Sequence, residues 1–295
     1  MAELQDRGDR GTESSPTDPA DEAHPYETVI SADAPFFQVG LREVWRSREL
    51  VSTFVWRDLK VRYKQTVLGF VWALLAPVIR MVVFTVIFGK LVKVDSEGFP
   101  YAIFVYAGLL PWGYFSNSFT SIANSLVSQG PLLTKVYFPR LVIPIAALGG
   151  KLVDLLIAFL VLVGLMLWYD VPVGWRILGV IPLTVLAMLA ALGAGAMIGA
   201  LNAAYRDFRH ITQFLIQLWM YVTPVVYSVK IVPAGWQWLI SLNPMTAVVD
   251  GYRSAILGKD VDWSSMAIGT AVTLVLLPIG LFCFRRIERK FADIV

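Results

Sequence analysis

Six apolar runs dominate this chain, at roughly 67–91, 101–126, 141–168, 176–203, 211–228 and 264–284. About 20 apolar residues cross a bilayer core as an α-helix. No soluble fold buries that many consecutive apolar residues so often. With 57% hydrophobic and 16% charged residues, the chain falls well below the charge content of about a quarter usual for soluble domains. The predicted class is therefore an all-α membrane protein of six spans.

The charges between the runs set its orientation. On one side lie the seven bases of 41–66, Lys135 and Arg140, Arg206 and Arg209, and Arg285, Arg286, Arg289 and Lys290, 15 in all. The other side carries six: Lys90, Lys93, Arg176, Lys230, Arg253 and Lys259. Basic residues beside spans report the cytoplasmic side, so both termini are expected in the cytoplasm. This basic excess reports topology, and no nucleic-acid partner is expected.

Residues 1–35 are different in kind. They hold nine acids against Arg7 and Arg10, are rich in Ser, Pro and Gly, and lack an apolar signal-peptide core. A disordered acidic tail is expected there. The next region, 36–66, reads as an amphipathic interface helix. Leu41, Val44, Trp45, Leu50, Val51, Phe54, Val55 and Leu59 recur at helical spacing among Arg and Lys, the pattern of a helix lying in the headgroup layer. The spans fill 67–285, and 286–295 forms a cytoplasmic C-terminal tail.

Two connecting segments are more than loops. Ser128–Arg140 opens on Gly130 and Pro131 and closes on Pro139, leaving about two turns of helix with Leu132, Leu133, Val136, Tyr137 and Phe138. A short, partly apolar helix on the cytoplasmic face is expected either to dock into a partner's groove or to pack under its own spans. Residues 229–263 are apolar but broken by Pro233, Gly235, Pro244 and Gly251. Two short helices that dip into the outer leaflet and return fit best, a seventh and eighth crossing being the alternative.

Charges inside the spans are costly and normally face protein or water. Arg80 lies about 12 residues into the first span, roughly 18 Å by helical rise. Lys151 and Asp154 lie at similar depth in the third and can pair at i,i+3. Asp154 is expected to neutralise Arg80, Lys151 or both. No catalytic constellation emerges. Asp207 and His210 are i,i+3, yet no Ser or Cys nucleophile is placed with them, and a helix-start charge cluster is the simpler reading. His24 and His210 give no metal spacing, so no metal is expected. The lone Cys283 allows no internal disulfide. No G-x-x-x-x-G-K-[ST] phosphate loop occurs, so any ATP-driven step needs a separate ATPase chain.

Several segments together resemble a known family. These are WRDLKVRYKQTVLGFVWALLAPVIRMVVFTVIFGKL (56–91), AGLLPWGYFSNSF (107–119), LLTKVYFPRLVIP (132–144), YRDFRHITQFLIQLWMYVTPVVY (205–227) and LNPM (242–245). In that order they resemble the type-2 permease subunits of ABC transporters that export O-antigen, teichoic acid and related envelope glycans from the bacterial cytoplasm across the inner membrane. The likeness spans about residues 40–290; the acidic tail lies outside it.

The resemblance implies a homodimer carried by two copies of a separate ATPase, which binds the ATP and Mg²⁺; this chain itself binds no cofactor. It implies that 41–50 lies at the interface, that 131–139 is the coupling helix entering the ATPase, and that 229–258 holds two re-entrant periplasmic helices. The substrate implied is a lipid-linked polysaccharide, a drug or small lipid being the alternative. A lipid-linked sugar transferase is the rival from another class, and would need more clustered Asp, Glu or His than this chain has. The first and fifth spans would line the channel. Aromatic faces and amides suit a sliding sugar chain, which nominates Trp72, Phe84 and Phe88 on the first span and Gln213, Gln217, Trp219, Tyr221 and Tyr227 on the fifth; packing or lipid contact is the alternative for the aromatics. Arg206, Asp207, Arg209 and His210 would form the cytoplasmic mouth, meeting a pyrophosphate or headgroup, or else anchor and cap the helix.

Overall fold

A computed structural model describes residues 45–63, 67–128, 139–205 and 208–291. Every regular element among them is helical. In order they are α1 (Arg48–Tyr63), α2 (Val67–Phe84) extended by a π-helical segment Thr85–Leu91, α3 (Tyr101–Ser128), α4 (Val142–Trp168), a 3₁₀ turn Trp175–Gly179 leading into α5 (Val180–Ala204), α6 (Phe208–Val222), a 3₁₀ turn Val229–Ile231, α7 (Ala234–Ser241), α8 (Pro244–Leu257) and α9 (Trp263–Phe291).

Among the described residues four stretches are long and apolar enough to cross a membrane: Val71–Leu91, Val142–Trp168, Trp175–Ala204 and Trp263–Ile287. The other two expected runs differ for separate reasons. α3 has 28 residues, ample length at 1.5 Å per residue, but its second half is interrupted by Ser, Asn and Thr. α6 is helical for only 15 residues. It stops at Val222, and the rest of the expected run 211–228 is a turn around Pro224.

α5 sits at the centre, packed against α3 and α9. Its face is built of small residues, with Ala187, Ala190, Ala191, Ala194, Ala196 and Ala200 all buried. In apolar surroundings helices associate by close packing, and small side chains let the backbones approach. The tightest point is a glycine pair: a Cβ added at Gly280 of α9 would lie 1.9 Å from the Gly193 carbonyl oxygen of α5. Any side chain there would drive the two helices apart.

Within the region 36–66, α1 is helical over Arg48–Tyr63, and residues 36–44 and 64–66 lie outside the described residues. None of the residues of α1 is buried; Leu50, Trp56 and Val61 are exposed, as is Trp45 just before it, and Val51 and Phe54 rest on Val142 and Ile143 of α4. The broken segment 229–263 contains two short helices. Asn243 caps α8 by accepting from the Met245 N–H at 3.0 Å, Pro244 takes the first helical position, and Gly258 closes the helix in the left-handed region. That is the expected division of labour between Asn, Pro and Gly at helix ends. Nearly all of α8 is buried, against α3, α5 and α9.

Candidate functional site

Arg80 of α2 and Lys151 and Asp154 of α4 line one cleft of about 460 Å³, together with Arg62, Trp72, Tyr114 and Asn117. Asp154 takes its hydrogen bonds from α1, while Lys151 lies within the attraction of both Asp154 and Asp58. The Asp154 carboxylate accepts hydrogen bonds from the Arg62 guanidinium and from the Tyr63 hydroxyl, the latter at 2.5 Å. The C-terminal turn of α1 lies over α4 at this point, and an arginine and a tyrosine side by side each engage one oxygen of the carboxylate. Arg80 is left with a 3.3 Å bond from Nε to the Ala76 carbonyl on its own helix. Among the described residues neither Arg80 nor Lys151 has an acidic group within ion-pair distance.

A polar groove of about 440 Å³ adjoins the cleft and shares Asn117 and Lys151 with it. Its floor is Ser116, Thr120, Asn124 and Ser128 of α3, with Gln213 of α6 opposite. The hydroxyls of Ser116, Thr120 and Ser128 and the Asn124 amide donate back to carbonyls of α3 at 2.8–3.2 Å. The three hydroxyl protons are thereby committed while their oxygens remain as acceptors; Asn124 keeps a second amide hydrogen, and its Oδ1 is buried without a partner among the described residues. Such a surface takes hydrogen bonds from hydroxyl-bearing groups.

The other nominated residues scatter. Trp72, on the cleft wall, and Tyr221 are 60% and 74% exposed. Gln217 is exposed, and Phe84 and Phe88 form a tilted pair with centroids 5.9 Å apart. Tyr227 donates to the Tyr221 carbonyl at 3.2 Å. Trp219 points inward. It meets Phe115 and Phe119 edge-on at 5.0 and 5.9 Å, and its indole N–H donates to Asn243 Oδ1 at 3.0 Å. Arg206, Asp207, the side chains of Arg209 and His210, and Leu132, Leu133, Val136, Tyr137 and Phe138 lie outside the described residues.

Sequence reasoning missed three features. The α3 stripe was visible as polar residues at exact four-residue intervals, 116, 120, 124 and 128, the helical spacing of one face. Arg253, counted only as an outer-side base, is wholly buried. It donates to the carbonyls of Pro224, Val225 and Tyr227 at 2.8, 2.6 and 3.1 Å and to that of Phe104 at 3.3 Å, with its guanidinium 3.8 Å above the Phe104 ring. Gly108 makes room, since a Cβ there would sit 2.9 Å from both the guanidinium and the Val225 carbonyl.

The third is Glu97, in the left-handed region at φ 56. Its carboxylate accepts from Lys230 and Lys259 at 2.6 and 2.8 Å and from the Ser228 hydroxyl at 2.6 Å. Burial works against its charge, but these donors outweigh burial and hold its pKa down to about 2 from an ordinary 4.5. A depressed carboxylate pKa stabilises the fold above the unfolded value and loses that contribution as pH falls through the folded one. Thermal unfolding of the purified protein should therefore shift to lower temperature between pH 4.5 and 2, and less steeply for Glu97→Gln. Parallel pH profiles for the two proteins would exclude Glu97 as the titrating group.

Residues 49–257 match the ABC-2 type transporter family. The chain is 30% identical over 257 residues to the O-antigen export system permease protein RfbA of Myxococcus xanthus, covering 86% of this chain and 98% of that protein. It is 26% identical over 248 residues to the RfbA protein of Klebsiella pneumoniae, covering 84% and 95%. It is also 23% identical over 247 residues to the polysialic acid transport protein KpsM of Escherichia coli, covering 81% and 93%. With a family match that covers more than half of the chain and a 30% identical relative that it covers almost completely, this chain belongs to the ABC-2 type transporter family of membrane permeases.

Proposed function

We propose that the chain is the membrane subunit of an ATP-driven exporter of a lipid-linked cell-envelope polysaccharide. The observation that carries this reading is that relatives named for O-antigen export and polysialic acid transport align over more than four-fifths of the chain. The acceptor-lined groove of α3 supports it, because a sugar polymer offers hydroxyl donors along its length and needs many weak contacts in place of one tight site.

On this reading the chain resides in the bacterial inner membrane with both termini in the cytoplasm. α2, α3, α4, α5, α6 with its following turn, and α9 are the six crossings, and α7 and α8 dip into the outer leaflet. Two copies form the path, and two copies of a separate ATPase supply the energy of ATP hydrolysis. The segment 131–139 is the contact with that ATPase. α1, joined to α4 through Asp154, is placed to pass movement at the membrane surface on to the spans.

Depletion of the chain in its native host should reduce surface polysaccharide to background while the lipid-linked polymer accumulates inside the cell. Immunoblotting of surface and cytoplasmic fractions reads both. Normal surface polymer with no internal accumulation would rule the reading out.

A further inference from the structure

We propose that a second cleft, between α8 and the N-terminal ends of α5 and α9, holds one zwitterionic bilayer phospholipid with a primary ammonium, such as phosphatidylethanolamine. The inference goes beyond the export reading and takes from it only that this end of the spans faces the outer leaflet.

The shape of the cleft fits a lipid chain. Its volume is about 720 Å³, within the about 300–1,000 Å³ usual for small-ligand sites. The wall is mostly apolar, with Pro182, Leu183, Leu186 and Leu189 of α5 and Met266 of α9. Leu189 lies about nine residues beyond the start of α5 at Val180, roughly 14 Å by helical rise. One leaflet contributes about 15 Å of hydrocarbon, half of the bilayer core. The cleft therefore runs the depth of a leaflet, the reach of a fatty acyl chain. Trp175 and Trp263 belong to its lining and are exposed, as suits aromatics at headgroup level.

Charge selects the headgroup. Arg176, Lys259 and Asp260 line the cleft, all from the segments that lead into α5 and α9. Lys259 is engaged inside the protein, by Glu97 at 2.8 Å and Asp250 at 3.3 Å. Arg176 gives one nitrogen to the Gly258 carbonyl at 2.8 Å, which brings the two segments to the same mouth. Among the described residues Arg176 and Asp260 form no ion pair, with each other or with any other group. The mouth thus offers one positive and one negative charge.

A phosphodiester suits the remaining fork of the guanidinium. The Asp260 carboxylate accepts only, and needs a donor that carries positive charge. A lipid charged solely at its phosphate would set an anion against Asp260. A quaternary ammonium has no N–H to give it. A phosphate followed by a primary ammonium satisfies both residues, and its net charge of zero matches the mouth.

The test uses the full-length permease in nanodiscs of equal phosphatidylethanolamine, phosphatidylcholine and phosphatidylglycerol, the retained lipid being identified by native mass spectrometry. The wild type should retain one phosphatidylethanolamine in preference to the others. Arg176→Gln should weaken that retention by about ten-fold or more, the scale of one charge-assisted hydrogen bond. Asp260→Asn should abolish the preference over phosphatidylcholine and raise retention of phosphatidylglycerol. Lys93→Gln, at an exposed base outside the cleft, should behave as the wild type.

A monodisperse Arg176→Gln protein that retains phosphatidylethanolamine like the wild type would overturn the site. So would a wild type that carries either other lipid as readily. Arg176 also holds the end of α8, so Asp260→Asn guards against a misfolded variant: an unchanged lipid preference there overturns the site as well. Displacement of the phospholipid by an added long-chain polyprenyl diphosphate would give the cleft to the carried lipid and end the proposal. The export reading is judged separately in the depleted host. A wild-type chain that restores surface polymer but retains no phosphatidylethanolamine sinks the site alone. One that retains the lipid and restores nothing sinks the export reading alone.

Discussion

Arg253→Met leaves little folded permease in the membrane. The wild-type guanidinium is fully buried and holds four backbone carbonyls, three of them in the turn that follows α6. A buried carbonyl stripped of its donor costs about 1–3 kcal/mol, so losing several together approaches the whole stability of an ordinary domain, about 5–15 kcal/mol. Methionine fills much of the space but donates nothing. Arg253→Lys keeps the charge, yet one ammonium with three hydrogens cannot reach carbonyls on both Phe104 and the 224–227 turn, so an intermediate loss is expected. Size-exclusion profiles and melting of the detergent-solubilised protein measure both. A Met variant that elutes and melts with the wild type would show that the carbonyls find other donors.

Gly280→Leu should abolish folding by a different route. The obstacle is backbone meeting backbone, because even a Cβ at Gly280 would overlap the Gly193 carbonyl oxygen at 1.9 Å. Flexible neighbours absorb small excesses at about 1–3 kcal/mol, but a helix backbone cannot move aside without unpacking its whole length. α5 and α9 would separate, exposing the alanine face at the centre of the structure. Gly280→Ala should already lower the melting temperature markedly. Gly164 supplies the control, since a Cβ there meets nothing within 4 Å. Gly164→Ala should be neutral or stabilising by up to about 1 kcal/mol through helix propensity. Equal melting of the two alanine variants would mean that the glycine contact is not limiting.

These positions show where one-dimensional reading succeeds and where it stops. The apolar runs announce themselves because lipid imposes a length and a composition on each. α7 and α8 follow from Pro233 and Pro244, and the start and stop of α8 follow from Asn243 and Gly258, because caps are local chemistry. Arg80 and Lys151 were brought to one depth by counting residues. Their actual relation to Asp154 was hidden, since Arg62 and Tyr63 lie more than 90 residues away in sequence. Trp219 looked like a candidate wall residue on an apolar helix, but its N–H is taken by Asn243, a contact no spacing rule anticipates. Arg253 sat in a segment read for turns and interfacial tryptophans, where a base usually counts only towards topology. The α3 stripe is legible at four-residue spacing, but its Ser, Thr and Asn residues also interrupt an apolar run, and the run is the stronger signal.

The turn after α6 has one more implication. Connecting segments are normally where a chain accepts extra residues, since their backbone faces water. Here the carbonyls of Pro224, Val225 and Tyr227 are measured off against donors fixed in a single plane. One inserted residue would rotate at least one carbonyl out of reach and bury it without a donor. Length is therefore least negotiable at the point where the chain most resembles a loop.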